Sequence, residues 1–243
     1  MFIEERVQKF EYKLNDTDDQ IIDYILKNKK NVINESIQSL ASNLFTVPNT
    51  IIRLSKKLGF DGYAHLKNNL KEEIYSEQYE IEDSLHSNLQ RTFDLIDINK
   101  MAVVAKMIQQ SKRVLIFGVG DTGLFCEMLM KNLKIAGKQS EYYIHRHDIV
   151  HGINQLTNEG VLFLVSLSGE TSQVLEVAEL SKAKGIRIIS LTHFNRNSLQ
   201  ELADISLFCF APSEMLNGYN ITDKTPLMVT IRTLSEYYWK LAK

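Results

Sequence analysis

The chain has 243 residues, of which 44% are hydrophobic, so it can bury one large core or two modest ones, and disorder is not expected. Its 28 Lys and Arg residues against 30 Asp and Glu residues give a formal net charge of -2. This balance excludes a global basic field that would attract nucleic acid or a membrane surface. Any contact with DNA must therefore come from a local basic patch.

The cysteines and the longest apolar run indicate the compartment. Cys126 and Cys209 lie in apolar stretches without CxxC spacing or a nearby His pattern, so both are predicted to be reduced core residues. The first residues have no basic segment followed by an apolar one. The longest apolar run, Val161 to Leu167, is far shorter than the ~20 residues that span a bilayer. We expect a cytoplasmic protein that does not enter a membrane.

The first third of the chain predicts three short helices. Asn15 and Asp18 have the spacing of a capping box, which begins the first helix, and the second begins near Ser36. Pro48 suits the first position of the third helix, because its missing N–H has no partner there, and Gly59 ends that helix. Three short helices with a tight turn between the last two predict an all-α helix-turn-helix domain. The residues predicted to face inward are Ile21, Ile22, Ile25, Leu26, Ile37, Leu40, Ala41, Ile51, Ile52, Leu54 and Leu58.

Two domains are predicted. The helix-turn-helix domain covers residues 1–77 and includes a further helix from Asp61 to about Tyr75. The polar stretch Ser76–Asp83 that follows is typical of a linker. Residues 78–105 are predicted to form the linker and an entry helix, and residues 106–243 a second domain.

A local basic patch lies on and after the third helix. Between Thr46 and Lys71 there are five basic residues and one acidic residue, a local charge of +4. Arg can bind guanine, Asn can bind adenine and Lys neutralises phosphate, so this composition fits a helix in the major groove. A solvated helix face has a similar charge density, so the spacing alone leaves both interpretations open. The residues predicted to contact DNA are Asn49, Thr50, Arg53, Lys56 and Lys57.

Apolar strands alternate with helices in the second domain. Strands this apolar predict a parallel five-stranded sheet with helices on both faces, which is a three-layer α/β fold. Ligands bind to such sheets outside the carboxyl ends of the strands. The predicted strands are Arg113–Gly118, Glu141–His145, Val161–Ser166, Ile186–Thr192 and Asp204–Phe210, and the main predicted helices between them are Thr122–Ala136, Asp148–Gln155 and Ser172–Lys184.

The loop Gly118–Gly123 follows the first strand and could hold an anion at a helix N-terminus. It also matches the dinucleotide pattern GxGxxG, so a redox-sensing repressor that binds NADH is one alternative. A dinucleotide site needs an acidic residue at the carboxyl end of the second strand. Glu141 lies at the beginning of that strand, and His145 and Arg146 lie at its end, which argues against nicotinamide binding. No cofactor is predicted.

The loop Ser166–Thr171 follows the third strand and has three hydroxyl groups in six residues, with a glycine beside a helix start. Neutral hydroxyl donors and backbone N–H groups can surround a phosphate. An N-cap and a turn would explain one or two of these hydroxyls, but not all three. The residues predicted to bind a phosphorylated effector are Gly120, Asp121, Thr122, Ser166, Ser168, Gly169, Glu170 and Thr171.

A histidine cluster spans residues 145–151. His147 and His151 are four residues apart and could share a helix face, which is a spacing that metal sites use. The same stretch offers no convincing third ligand, so no metal is predicted. Contact with the sugar and a plain solvated loop are the alternatives.

The two domains together resemble the RpiR/MurR family of transcriptional regulators, which join a helix-turn-helix domain to a SIS (sugar isomerase) domain. The segments that carry the resemblance are Ile21–Leu26, Ser36–Ala41, Thr50–Phe60, Ile116–Gly120, Ser166–Thr171 and Leu180–Gly185. The resemblance implies a homodimer or homotetramer that binds palindromic double-stranded operator DNA. It also implies that a sugar phosphate modulates this binding at Thr122, Ser166, Ser168 and Thr171.

The chain departs from the family pattern at several positions. Phe45 stands where a turn glycine is common, and Val47 stands where a serine cap is usual. Leu167 replaces a residue that is polar in some SIS enzymes. SIS isomerases of the arabinose-phosphate type have Lys and His in the first loop, where this chain has Asp121 and Leu124. We therefore predict a sensor and not an enzyme.

A sugar-phosphate isomerase remains the alternative function. It would need its base elsewhere in the chain, and His193 and Glu214 are the candidates.

Overall fold

The computed structural model describes residues 2–79 and 84–242, with side chains described for residues 2–74 and 85–242. The chain forms two compact units, Met1–Ser84 and Leu85–Lys243, each with its own apolar core. No helix among the described residues has the length and the apolar character that a membrane span requires.

The first unit is entirely helical. The predicted capping box is present, since the Asn15 side chain accepts from the Asp18 N–H at 3.0 Å and the Asp18 carboxylate accepts from the Asn15 N–H at 3.1 Å. Ser36 caps the next predicted helix through the Ser39 N–H, and Pro48 begins the one after it. The helices are α1 (Ile3–Lys9), α2 (Asp16–Lys27), α3 (Lys29–Val32), α4 (Ile37–Asn43), α5 (Pro48–Lys57) and α6 (Tyr63–Tyr79).

The core of the first unit is built from one apolar face of each of its longer helices. α4 and α5 pack against each other across a short turn, with Leu40 and Leu54 fully buried. Helix α1 was not predicted, and it joins this core through Ile3, whose N–H donates to the buried Glu73 carboxylate of α6. Burial raises the pKa of Glu73. The Lys29 ammonium lies 3.5 Å from the same carboxylate.

The predicted linker is partly helical. α6 continues to Tyr79, so the prediction that the helix ends near Tyr75 was wrong, because polar residues also form a solvent-exposed helix. Residues 80–83 of the predicted linker lie outside the described residues. Two helices follow, α7 (Ser84–Leu95) and α8 (Ile98–Gln110).

The second unit has a parallel five-stranded sheet in the order β2-β1-β3-β4-β5. Successive residues of β1 face opposite sides, so Ile116 joins one core cluster and Leu115 the other. Helices α8, α9 and α13 cover the first face and α10, α11 and α12 the second, which confirms the predicted three-layer fold. The strands are β1 (Val114–Gly118), β2 (Ser140–Tyr143), β3 (Val161–Val165), β4 (Arg187–His193) and β5 (Ile205–Cys209), and the helices are α9 (Gly123–Ile135), α10 (Arg146–Gln155), α11 (Ser172–Ala183), α12 (Ser198–Leu202) and α13 (Thr225–Leu241).

Two details of the second unit differ from the sequence prediction. β2 ends at Tyr143, two residues before the predicted end, because His145 already caps α10. A small hairpin of β6 (Met215–Leu216) and β7 (Tyr219–Asn220) was not predicted. Both cysteines are free and buried, as predicted.

The capping box gives a prediction on stability. Replacing Asn15 by alanine removes the acceptor for the Asp18 N–H, so Asn15→Ala should lower the free energy of unfolding by about 1 kcal/mol. Chemical denaturation measures this change. Asn31→Ala, at an exposed position of α3, serves as the control and should change stability by less than about 0.5 kcal/mol. Equal effects of the two substitutions would contradict the capping role.

Candidate functional site

A cavity of about 320 Å³ lies at the carboxyl edge of the sheet, and we call it the edge cavity. β1 and β3 are neighbours in the sheet, with Gly118 opposite Val165, so the loops that follow them leave the sheet side by side. Six of the eight predicted effector residues line the cavity. The lining residues are Val119, Gly120, Asp121, Thr122, Val165, Ser166, Leu167, Ser168, Thr171, Asn220 and Lys224.

The other two predicted effector residues, Gly169 and Glu170, do not line the cavity. Gly169 has φ +67°, and a Cβ atom there would lie 2.2 Å from the Asn197 side chain. Glu170 accepts hydrogen bonds from the Ser198 N–H at 2.7 Å and from the Ser198 hydroxyl at 2.8 Å, which hold the pKa of Glu170 below its usual value. These two residues therefore fix the loop against α12.

The hydroxyl groups of the second loop form a short hydrogen-bond chain. The Ser166 hydroxyl accepts from the Gly169 N–H at 3.2 Å and lies 3.0 Å from the Thr171 hydroxyl. When Ser166 donates to Thr171, the Thr171 hydroxyl hydrogen is left for a ligand. Ser168 accepts from the Glu170 N–H at 3.1 Å and also keeps its hydrogen. The loop therefore presents two hydroxyl donors to an anion.

The first loop is packed more tightly. A Cβ atom at Gly118 would lie 2.7 Å from Thr122 Oγ1, 2.8 Å from Cys126 Sγ and 2.9 Å from the Val165 carbonyl, so only glycine fits. The Thr122 hydroxyl donates to the Val119 carbonyl at 3.0 Å. Because that hydrogen is already used, Thr122 can offer a ligand its backbone N–H but no hydroxyl hydrogen.

Two cavity residues, Asn220 and Lys224, were missed from the sequence. The Lys224 ammonium lies 3.2 Å from the Asp121 carboxylate, and its side chain is only 18% exposed. Asn220 lies on β7 and Lys224 caps α13, which reach the carboxyl edge from the far end of the chain. A signal was present, since Asn217-Gly218 is typical of a two-residue hairpin turn and Pro226 of a helix start.

The electrostatics of the edge cavity favour an anion. Helices α9 and α11 begin at the cavity, and neither has a side-chain cap on its first N–H groups. Uncapped N–H groups and the positive end of the helix dipole attract negative charge. Lys224 adds a cation, while Asp121 is the one carboxylate among the described lining residues. A phosphate that displaces Asp121 from Lys224 would gain all these contacts.

The two candidate bases for an isomerase do not line the edge cavity. The His193 ring accepts from the Ala211 N–H at 3.0 Å and packs edge-on against Phe210. Burial, with the nearby Arg91 charge, lowers the pKa of His193 to about 4. Glu214 is exposed on the chain before the hairpin.

Glu141 lies at the wrong edge of the sheet for a ribose. It is the second residue of β2, opposite Leu115, whereas ligands bind beyond the other end of the strands. The Arg113 guanidinium donates to it at 2.9 Å and holds its pKa below the usual value. Glu141 is thus engaged in an ion pair far from the first loop.

The histidine cluster is exposed. His145 and His147 stack with 5.4 Å between ring centroids, and His151 contacts Gln155 on the next turn. Among the described residues there is no group of three or more metal-ligating side chains.

The predicted DNA-contacting residues all lie on α5, but they differ in how free they are. Asn49, Arg53 and Lys56 are exposed, and Thr50 is half-buried. Lys57 forms an ion pair with the buried Asp18 of α2, so its charge is engaged within the unit. α5 carries no acidic residue, which leaves a positive face. The DNA contacts themselves remain predictions.

Comparison with known proteins decides the family. Residues 1–77 match the helix-turn-helix domain of the rpiR family, and residues 107–235 match the SIS domain. The transcriptional regulator GlvR of Bacillus subtilis (strain 168) is 30% identical over 224 residues, which cover 86% of this chain and 83% of GlvR. The chain belongs to the rpiR family of helix-turn-helix transcriptional regulators. The predicted family and the predicted domain order are confirmed.

Solved structures of similar proteins contain sugar phosphates. NanR of Vibrio vulnificus, solved with ManNAc-6P, is 24% identical, has a TM-score of 0.61 and matches 98% of this chain and 92% of its own. The protein c3406 of E. coli CFT073, solved with arabinose 5-phosphate, is 25% identical, has a TM-score of 0.54 and matches 65% of this chain and 85% of its own. The first of these likenesses supports the fold of this rpiR-family chain.

The lowered pKa of His193 predicts how the stability of the chain depends on pH. An unfolded histidine binds a proton near pH 6.5, whereas folded His193 does so only near 4, so the unfolded state binds more protons between these values. The free energy of unfolding should therefore fall by roughly 2 kcal/mol between about pH 7.5 and about pH 5 through this residue.

Urea denaturation at both pH values measures the effect. His193→Gln keeps an acceptor for the Ala211 N–H but does not titrate, so it should remove this part of the pH dependence. The control is His147→Gln, at an exposed histidine, which should leave the pH dependence as it is in the parent chain. If the two variants behave alike, the buried neutral state of His193 is wrong.

Proposed function

We propose that this rpiR-family regulator binds operator DNA through α5 and that a phosphorylated sugar in the edge cavity modulates that binding. The observation that carries the proposal is the edge cavity itself. It combines two hydroxyl donors, a half-buried lysine and two uncapped helix N-termini at the carboxyl edge of a parallel sheet.

The phosphate is assigned to the second loop. The hydroxyls of Ser168 and Thr171 and the first N–H groups of α11 all offer hydrogens there, and none of them carries a full charge. Neutral donors at a helix N-terminus bind phosphate without a long-range attraction for other anions. Lys224 supplies the one cation in the lining.

The remainder of the ligand is assigned to a sugar. Asp121 and Asn220 supply a carboxylate and an amide, groups that hydrogen-bond to hydroxyls, and Leu167 and Val119 add apolar surface. The volume of about 320 Å³ suits a small ligand. Support comes from the similar protein c3406, which is solved with arabinose 5-phosphate.

The chain is proposed to be a sensor and not an isomerase. Aldose–ketose interconversion needs a base within reach of the sugar carbon. Among the described lining residues the only carboxylate is Asp121, which pairs with Lys224, and His193 accepts a backbone hydrogen bond elsewhere. Relatives such as GlvR are transcriptional regulators by name. The homodimer or homotetramer implied by the family stays a prediction.

Lys224 should be needed for effector binding. Lys224→Met removes the cation but keeps the length of the side chain, so sugar-phosphate affinity should fall about 10- to 100-fold, since a hydrogen bond to a charged group is worth about 1.5–3 kcal/mol. Thr171→Val should act in the same direction. Calorimetry against a panel of pentose, hexose and amino-sugar phosphates, with NADH included, gives the affinities.

The matched control is Lys184→Met, on the far end of α11, which should bind as the parent chain does. Equal affinities of Lys224→Met and the parent chain would contradict the site. Turnover of any of these sugar phosphates at ~1 s⁻¹ or faster would contradict the sensor and support the isomerase.

Arg53 should be needed for DNA binding. Arg53→Ala should weaken operator binding by about 1–3 kcal/mol and relax the preference at one base pair if Arg53 contacts a base. If it contacts phosphate, all sequences should weaken alike and the slope of affinity against salt should fall by about one. Fluorescence titration at several salt concentrations separates the two results.

The control for this experiment is Arg232→Ala, an exposed arginine on α13 in the second unit. It should leave DNA binding unchanged. Unchanged operator affinity in a folded Arg53→Ala variant would remove the main support for α5 as the DNA-contacting helix.

A further inference from the structure

The turn between α4 and α5 exposes two apolar side chains, Phe45 and Val47, which we call the apolar tip. Phe45 is 99% exposed and Val47 is 60% exposed. Among the described side chains of residues 2–74, Tyr12 is the other exposed large apolar one. Apolar surface of this kind is commonly buried against a partner when two such residues lie together at a functional element.

The backbone at Phe45 makes its presence costly. Its φ of +50° lies in the left-handed region, where a side chain with a Cβ atom costs about 1 kcal/mol or more relative to glycine. The ring recovers none of this cost within the first unit, because it is almost fully exposed. Strained positions that packing does not explain are often retained for function.

Val47 is also a poor choice for the stability of the unit. It is the N-cap of α5 and makes no side-chain hydrogen bond to the first turn of the helix. Serine, threonine, aspartate or asparagine at an N-cap stabilises a helix by about 1 kcal/mol relative to an apolar residue. At two positions on one turn the chain therefore carries apolar side chains that reduce its stability.

The surroundings of the apolar tip indicate the occupant. Asn49, Arg53 and Lys56 are exposed on α5 directly after it, and α5 has no acidic residue. This positive face complements a polyanion and not an apolar protein surface. In the major groove of DNA, the 5-methyl group of thymine is the apolar feature, and apolar side chains contact it.

We propose that the apolar tip contacts thymine 5-methyl groups of the operator and so determines part of its sequence preference. This inference rests on the proposed function, in which α5 enters the major groove. It adds Phe45 and Val47 to the residues of α5 that were predicted to contact DNA, and it gives them a different chemistry.

Deoxyuridine tests the contact, because it differs from thymidine only by the missing methyl group. The full-length chain first selects its preferred sequence from a random pool of duplex DNA. Each thymine of that sequence is then replaced by deoxyuridine, one at a time. At one or two positions the affinity should fall about fourfold, the equivalent of ~0.8 kcal/mol for one buried methyl group.

Two substitutions assign the loss to the apolar tip. Phe45→Gly and Val47→Ser should each lower the affinity for the thymine-containing operator by about fourfold or more. They should also abolish the further loss on deoxyuridine replacement at the position each one contacts. Both should raise the thermal midpoint of the full chain by about 2–4 °C for each ~1 kcal/mol gained.

Asn217→Gly provides the matched control for relief of positive φ. Asn217 also has φ +50°, but it lies in the β6–β7 turn of the second unit, so the substitution should leave DNA binding unchanged. Opposite signs for stability and DNA affinity are expected at the apolar tip alone.

The outcomes separate this inference from the proposed function. If the parent chain selects no sequence, DNA binding through α5 is wrong and the inference falls with it. If a sequence is selected but deoxyuridine lowers affinity at no position, or lowers it equally in the parent chain and both variants, the apolar tip does not contact thymine. Variants that are stabilised but bind the operator unchanged would overturn the inference as well.

Discussion

The parallel pairing of β1 with β3 is the contact on which the edge cavity depends. Gly118 and Val165 are opposite each other at the ends of these strands, so two loops that are far apart in the chain begin next to each other. The absence of a side chain at Gly118 lets α9 approach, because Thr122 and Cys126 occupy the space of a Cβ atom. A side chain at this one position would move α9 and with it the first loop of the cavity.

In the first unit, Asp18 has a comparable place. Its carboxylate is buried, closes the capping box of α2 through the Asn15 N–H and pairs with Lys57 at the end of α5. One side chain thereby connects the beginning of α2 to the helix proposed to contact DNA. The same pair explains why Lys57 is less available to DNA than Lys56, although the two are neighbours in the sequence.

Both proposed sites contain groups that oppose the stability of the empty protein. Asp121 places a carboxylate beside Lys224 in a cavity that otherwise favours anions, and Phe45 and Val47 keep apolar side chains where glycine and a polar cap would stabilise the fold. Local rules of stability are commonly broken where a binding function requires it. The departures from the family pattern at Phe45 and Val47 thus have a physical cost that the structure makes visible.

The sequence by itself determined the features whose signals are local, such as the capping box at Asn15, the beginning of α5 at Pro48 and the five apolar strands. The tertiary structure alone decided which polar groups meet, because ion pairs and cavities join residues that are distant in the chain. It paired Lys224 with Asp121 through the packing of α13, and it turned Glu170 away to Ser198. Helical periodicity and loop composition extend over a few residues, so neither contact could be read from them.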